Sequence, residues 1–176
     1  MLKKTALFGQ GSVAKIDSSN ILRLKDAGAL LLGTTNTPQM VMSFETSNTL
    51  YGRTVNAHDS TRSAGGSSGG EGAIIAAKGS PLGIGTDVGG SIRIPAHFNG
   101  ICGLKSTKGA VPLTNCMYFG EGFAYEEMVP LTGEIATIGP MSRYPFQFIL
   151  HNSFFSLTQF DICRGFRIGI FDYQWN

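Results

Sequence analysis

The stretch GGSSGGEG, residues 65–72, places two adjacent serines among glycines in a chain otherwise rich in apolar residues. A run of this composition behaves as a flexible linker when it separates two self-contained blocks. Here apolar helical and strand patterns resume at once, in GAIIAAKG at 72–79 and PLGIG at 81–85. The run therefore belongs inside a folded unit. It is no phosphate loop either, because the closing Gly-Lys-Ser/Thr is missing and the Glu71 carboxylate would repel phosphate. A second glycine cluster, GIGTDVGGSIRIP at 83–95, is not a dinucleotide fingerprint. Its third glycine is misplaced, and no acid follows at the βαβ distance.

A nucleophile elbow, G-x-S-x-G, matches on Ser67 and again, one residue on, at Ser68. That reading needs an acid and then a histidine downstream. His97 and His151 satisfy the order without a telling context, and His58 comes too early. All three histidines read as surface or loop residues. What remains is a pair of glycine-flanked serines, Ser67 and Ser91. Glycine lets backbone approach a substrate and adopt dihedrals that aim a neighbouring side chain. Consecutive amides at Val88, Gly89, Gly90 and Ser91 can point at one developing oxyanion. Asp87 and Arg93 bracket this second serine, and burying either charge unpaired is costly, so each is expected to have a partner.

Working outward, DSSNILRLKDAG at 17–28 predicts a short helix capped by Ser18 or Ser19. It would turn Ile21, Leu22, Leu24 and Ala27 inward and stop at Gly28. ALLLG at 29–33 predicts a short buried strand, so the order helix then strand points to an α/β sheet. Residues 34–64 form a long polar connection of the kind that carries function. GAIIAAKG predicts a helix closed by Gly79, and PLGIG, ICGL at 101–104 and FRIGIF at 166–171 are strand candidates.

The 176 residues suffice for one ordinary core, and 42% hydrophobic with 15% charged residues is a globular composition. The net charge is +2 with scattered basic residues, which points away from nucleic acid and anionic membranes. Cys102, Cys116 and Cys163 have no paired spacing, so reduced thiols are expected, with neither disulfides nor a metal site. The apolar stretch near the start, Ala6 to Phe8, is too short for a secretory signal, and AGALLLG at 27–33 is too short to span a bilayer.

Residues 65–109, GGSSGGEGAIIAAKGSPLGIGTDVGGSIRIPAHFNGICGLKSTKG, resemble the amidase signature enzymes, serine hydrolases with a Ser-Ser-Lys triad. TNTPQ, SNTLYGRTVN and GGSSGGEG are most similar to the fatty-acid amide hydrolase branch, whereas amidotransferase A subunits carry a small residue where Glu71 stands. The resemblance runs from about Asp17 to Tyr144, with a weaker return at FRIGIFDY. It implies an α/β fold, a mixed β-sheet flanked by helices. Residues 1–16 would be unmatched, and 17–176 would be the central part of an amidase domain cut at its C-terminus.

The implied reaction is hydrolysis of a carboxylic amide through an acyl-enzyme, with no metal or cofactor and a small-molecule, lipid-type amide as substrate. Ser91 would be the nucleophile. Ser67 would be the bridging serine, on a cis peptide after Gly66 and within hydrogen-bonding reach of Ser91. The Val88–Ser91 amides would form the oxyanion hole, and Ser68 would support it. Val41 and Met42 would fall at acyl-pocket positions, with ordinary core packing as their other reading. The family's lysine lies further upstream of the bridging serine than the residues available here, Lys3 and Lys4 match nothing, and Lys25 falls in the helix before ALLLG. The chain as given is therefore expected to lack the base and be inactive. Two other readings stay open: a non-catalytic remnant or amide-binding module, and an amidotransferase A-type subunit. The family setting implies an intracellular protein, cytoplasmic or membrane-associated, with membrane contact made by segments not present here.

Overall fold

A computed structural model describes residues 16–113, 116 and 135–145. FRIGIF, Lys3, Lys4, His151 and Cys163 lie outside the described residues.

Helix α1 spans Ser19–Asp26. Its buried residues are Asn20 and Leu24, spaced i and i+4, while Leu22 is exposed. Residues two apart on a helix cannot share a face, so the expectation that Leu22 joins Leu24 fails on geometry. Ala27 is exposed as well. Ser18 occupies the N-cap position without capping; its hydroxyl donates to the Asn20 side chain, which accepts the Ile21 N–H at 2.8 Å. Gly28 stops the helix as expected, at φ +87° with its N–H on the Lys25 carbonyl. ALLLG is neither buried nor paired: Leu30 is 87% and Leu32 74% exposed, and no strand includes them. An apolar run supplies β tendency, but a strand also needs a neighbouring edge to satisfy its amides and carbonyls. Among the described residues no such edge adjoins it.

Residues 34–64 contain a 3-10 turn at Gln39–Val41 and a small antiparallel hairpin, β1 Ser47–Asn48 with β2 Gly52–Arg53. Helix α2 spans Gly69–Ala76 and so begins inside the glycine run. It ends in a Schellman pattern, Lys78 N–H to Ile75 O and Gly79 N–H to Ile74 O. The left-handed position is Lys78, at φ +66°, rather than Gly79 as expected. The helix thus stops one residue early, with a side-chain-bearing residue where glycine is favoured.

Strand β3, Leu82–Asp87, pairs antiparallel with β5, Thr137–Ser142, which pairs antiparallel with β4, Cys102–Gly103. The order is β3-β5-β4, so β5 is central and buried along its length. Pro140 hid this strand in the sequence, since proline removes a ladder donor. The structure accommodates it at the end of β4: Leu104 N–H donates to the Pro140 carbonyl, and pairing goes no further. Helix α3, Arg93–Phe98, carries its proline in the first turn, where a missing N–H is harmless.

The two faces of the sheet bear different layers. Ile138 packs with Leu24 and Val111, joined by Ile21 and Ile84. Met141 packs with Ile75, Ile92 and Ala96 from α2 and α3. The odd-numbered residues of β3, Gly83, Gly85 and Asp87, are its buried ones. At Gly85 a Cβ would sit 2.7 Å from Ile92 Cγ1 and 2.9 Å from Ser68 Oγ. The bare strand therefore lets the serine-bearing start of α2 lie directly on the sheet.

Candidate active site

The glycine run is buried from Gly65 to Gly70, which disposes of the linker reading. Polar groups of the preceding segment hold it. Thr46, with no exposed surface, donates from Oγ1 to the Gly65 carbonyl at 2.9 Å, with the Ser67 carbonyl at 3.4 Å, and accepts the Gly69 N–H at 3.0 Å. The Asn36 carbonyl accepts the Gly70 N–H at 3.2 Å. The first amides of a helix have no acceptor within it. Here Thr46 and Asn36 supply acceptors from elsewhere in the chain, and a side chain at Gly69 would collide with Thr46.

The Gly66–Ser67 peptide is cis. Ser67 is 1% exposed, and its Oγ is buried with no hydrogen-bond partner. The neighbouring Ser68 N–H donates to the Ser91 carbonyl at 3.1 Å, so a backbone bond ties the two serine loops together. The Ser68 hydroxyl accepts the Thr86 N–H at 3.3 Å and thereby anchors the loop to β3. No hydrogen bond joins the Ser67 and Ser91 hydroxyls in this structure. The sequence places the two hydroxyls within reach of one another; the Ser68–Ser91 backbone bond brings their loops together, and Ser67 Oγ has no hydrogen-bond partner.

Ser91 follows β3 in a turn built around Asp87. The Asp87 carboxylate, 1% exposed, accepts the Gly90 N–H at 2.8 Å and the Ile92 N–H at 3.1 Å. Arg93 completes the set with Nε on Oδ2 and Nη2 on Oδ1, both at 3.0 Å, a two-point grip. Both charges thus have the partners expected of them. Burial pushes the Asp87 carboxyl up, but Arg93 and the two amides outweigh it and hold it below the usual range. Gly90 sits at φ +128°, a conformation that side-chain-bearing residues avoid.

One correction concerns the expected oxyanion donors. The Gly90 N–H is taken by Asp87. Val88, Gly89 and Ser91 have amides that bond to no acceptor among the described residues.

Of the expected acyl-pocket positions, Val41 is half-buried at φ +54°, and Met42 is 75% exposed, which removes core packing as its role. The structure adds Phe44, an exposed ring 3.9 Å from where a Cβ on Gly89 would stand. A lone aromatic in the polar stretch SFETSN was the available signal. Glu71 was also passed over as a structural residue. Thr35 Oγ1 donates to its Oε2 at 2.7 Å, and burial pushes its carboxyl up against the opposing pull of Thr35 and the Ile84 amide.

The other candidates fall away. His58 and His97 are exposed, and the His58 ring bonds the Asn99 carbonyl rather than a serine. Lys25 is an exposed helix residue paired with Asp17 at 2.6 Å. Lys105 donates to the Ile135 carbonyl and Thr137 Oγ1. No described lysine reaches Ser67 Oγ. Cys102 and Cys116 form no disulfide among the described residues, and burial pushes both thiols up.

Comparison with known proteins gives the family of the chain. The Amidase family model matches residues 6–145. The chain is 45% identical to fatty-acid amide hydrolase 1 of Sus scrofa over 137 residues, covering 76% of this chain and 22% of that protein. It is 49% identical to the acetamidase of Aspergillus oryzae over 104 residues, covering 57% of this chain and 19% of that one. A solved structure of fatty acid amide hydrolase superposes with TM-score 0.64 at 35% identity, over 78% of this chain and 22% of that chain. The chain thus spans about a fifth of the length of these relatives.

Proposed function

The chain belongs to the amidase family, and from that premise we propose that it carries the nucleophile, bridging serine and oxyanion donors of a serine amidase acting on fatty-acid or lipid amides. The observation that carries this reading is the Ser67 hydroxyl: buried, without a partner, and on a loop bonded through its backbone to the Ser91 loop. A buried hydroxyl is rarely left unsatisfied without a task.

In the proposed reaction Ser91 Oγ attacks the amide carbonyl carbon and its proton passes to Ser67 Oγ. Ser67 gives its own proton to a neutral lysine base, which is not among the described lysines. The carbonyl electrons collect on oxygen, facing the free amides of Val88, Gly89 and Ser91. Collapse breaks the C–N bond; the amine leaves with the relayed proton, and Ser91 keeps the acyl group as an ester. Water attack then releases the acid and restores Ser91. The exposed apolar side chains of Met42 and Phe44, with Phe44 beside Gly89, support an apolar acyl group.

Without a lysine on Ser67, turnover loses general-base help of roughly 10²–10⁴-fold. The 176-residue chain is therefore expected to react slowly with an activated fluorophosphonate, whose fluoride leaves without protonation, and not to hydrolyse a fatty amide measurably. Labelling should disappear in Ser91→Ala. Labelling that persists in that variant, or none in the parent chain, would overturn the assignment of Ser91. Ser91-dependent amide turnover would instead show that a lysine of this chain serves as base, with Lys25 the first to replace.

A further inference from the structure

Thr46 takes no part in the reaction just described, yet it is completely buried and its hydroxyl touches the Ser67 loop on both sides. A threonine hydroxyl offers one donor and two acceptor sites. Here the donor goes to the Gly65 carbonyl at 2.9 Å, two residues before Ser67, and an acceptor site takes the Gly69 N–H at 3.0 Å, two residues after it. The Ser67 carbonyl lies 3.4 Å away on the same oxygen. One hydroxyl therefore spans residues 65–69, and it is itself held fast. Its backbone carbonyl accepts the Thr54 N–H at 2.8 Å, and it sits immediately before the β1–β2 hairpin. A second tie runs in parallel: Asn36 accepts the Gly70 N–H, and its side chain donates to Thr54 Oγ1 at 2.9 Å.

Ser67 makes no hydrogen bond of its own through Oγ. The loop is therefore held through the groups around it, and the Thr46 hydroxyl is the buried side-chain group that bonds its backbone on both sides of Ser67. We infer that Thr46 is a positioning residue for Ser67, holding the bridging hydroxyl where it can relay the proton of Ser91; the inference rests on the serine-amidase reading above. No part of Thr46 enters the reaction. Its hydroxyl instead replaces the N-cap that Ser68 does not provide, so that Ser68 remains free to bond β3 and the Ser91 loop.

The experiment compares the parent 176-residue chain with Thr46→Val, Thr46→Ala and Thr46→Ser in two measurements. Amide hydrogen exchange of peptides covering 64–70 reports on the Gly69 N–H, and the second-order rate of fluorophosphonate labelling at Ser91 reports on whether Ser67 Oγ is held where it can take the Ser91 proton. Valine removes the hydroxyl at nearly constant shape and alanine removes it at smaller volume, so one poorly folding variant does not decide the outcome. Leaving a buried donor and acceptor unmatched predicts exchange faster and labelling slower by roughly tenfold or more in both variants. Serine, which restores the hydroxyl, should bring both back to within about threefold of the parent. Protected exchange and parental labelling in the valine variant would overturn the inference, as would a serine variant that rescues exchange but not labelling. If the parent chain is not labelled at all, the amidase reading fails, and the exchange data still decide whether Thr46 holds this loop.

Discussion

Asp87 shows how a single carboxylate can organise a glycine-rich loop. It receives amides from Gly90 and Ile92 and a two-point contact from Arg93, all within the turn that presents Ser91. Because Arg93 is half exposed while Asp87 is buried, the two partners are not equivalent. Replacing Asp87 by alanine leaves two buried amides without acceptors, whereas replacing Arg93 leaves the carboxylate on its amides. Asp87→Ala should therefore destabilise by about 1–3 kcal/mol and Arg93→Ala by less, read from urea midpoints at constant slope. The pH dependence has a definite sign. The folded carboxyl lies below its unfolded value of about 3.9, so its contribution is complete above that value and is lost as pH falls through the folded one. The parent chain should lose stability more steeply than Asp87→Ala below about pH 4. Parallel acid profiles for the two proteins would contradict this account.

At the scale of elements, both ends of α2 depart from what the sequence indicates. Its start is hidden in the sequence, because the glycines of the first turn look like a loop. They are tolerated since Thr46 and Asn36 cap the helix from outside and close packing forbids larger residues. Its end was placed at Gly79, yet Lys78 adopts the left-handed conformation at φ +66°. A residue with a Cβ in that position costs energy that glycine does not pay. Lys78→Gly should accordingly stabilise the chain, by up to about 1 kcal/mol, since Lys78 is exposed and no described contact depends on it. A urea midpoint unchanged or lowered in Lys78→Gly would show that the Schellman end gains nothing from glycine. Two elements that the sequence does not show, α3 and β5, each contain a proline that argues against regular structure. Pro95 falls in a first turn and Pro140 where β4 ends, and neither position can be known before the pairing is.

Across the whole molecule, the sheet is well covered by α2 and α3 on one face and by Leu24 and Val111 on the other. Leu30, Leu31 and Leu32 stand outside this arrangement, 52–87% exposed, on an irregular segment without strand partners among the described residues. No helix among the described residues is long and apolar enough to cross a membrane. An unpaired, exposed apolar segment is a template for association with another chain. The 176-residue chain should self-associate at micromolar concentration. Leu30→Lys with Leu32→Lys should shift it toward monomer in sedimentation, while the thermal midpoint stays near the parent value, since exposed positions contribute within about 0.5 kcal/mol. Concentration-independent sedimentation of the parent would remove the basis for this prediction.

What the sequence determined by itself follows from local chemistry and from very specific motifs. Apolar periodicity marks α1, and glycine at 28 marks its end. The paired clusters around Ser67 and Ser91, with Asp87 and Arg93, identify the family and carry the proposed site, because so few backbones need glycine and serine in that order. Tertiary structure decided what depends on distant neighbours. Whether ALLLG forms a strand rests on a partner edge, and whether PMS continues one rests on where Pro140 meets β4. Which amide can face an oxyanion depends on Asp87 taking the one at Gly90. Thr46 and Asn36, in a stretch that reads only as polar connection, become caps for a helix far along the chain, because burial obliges every amide at its start to find an acceptor.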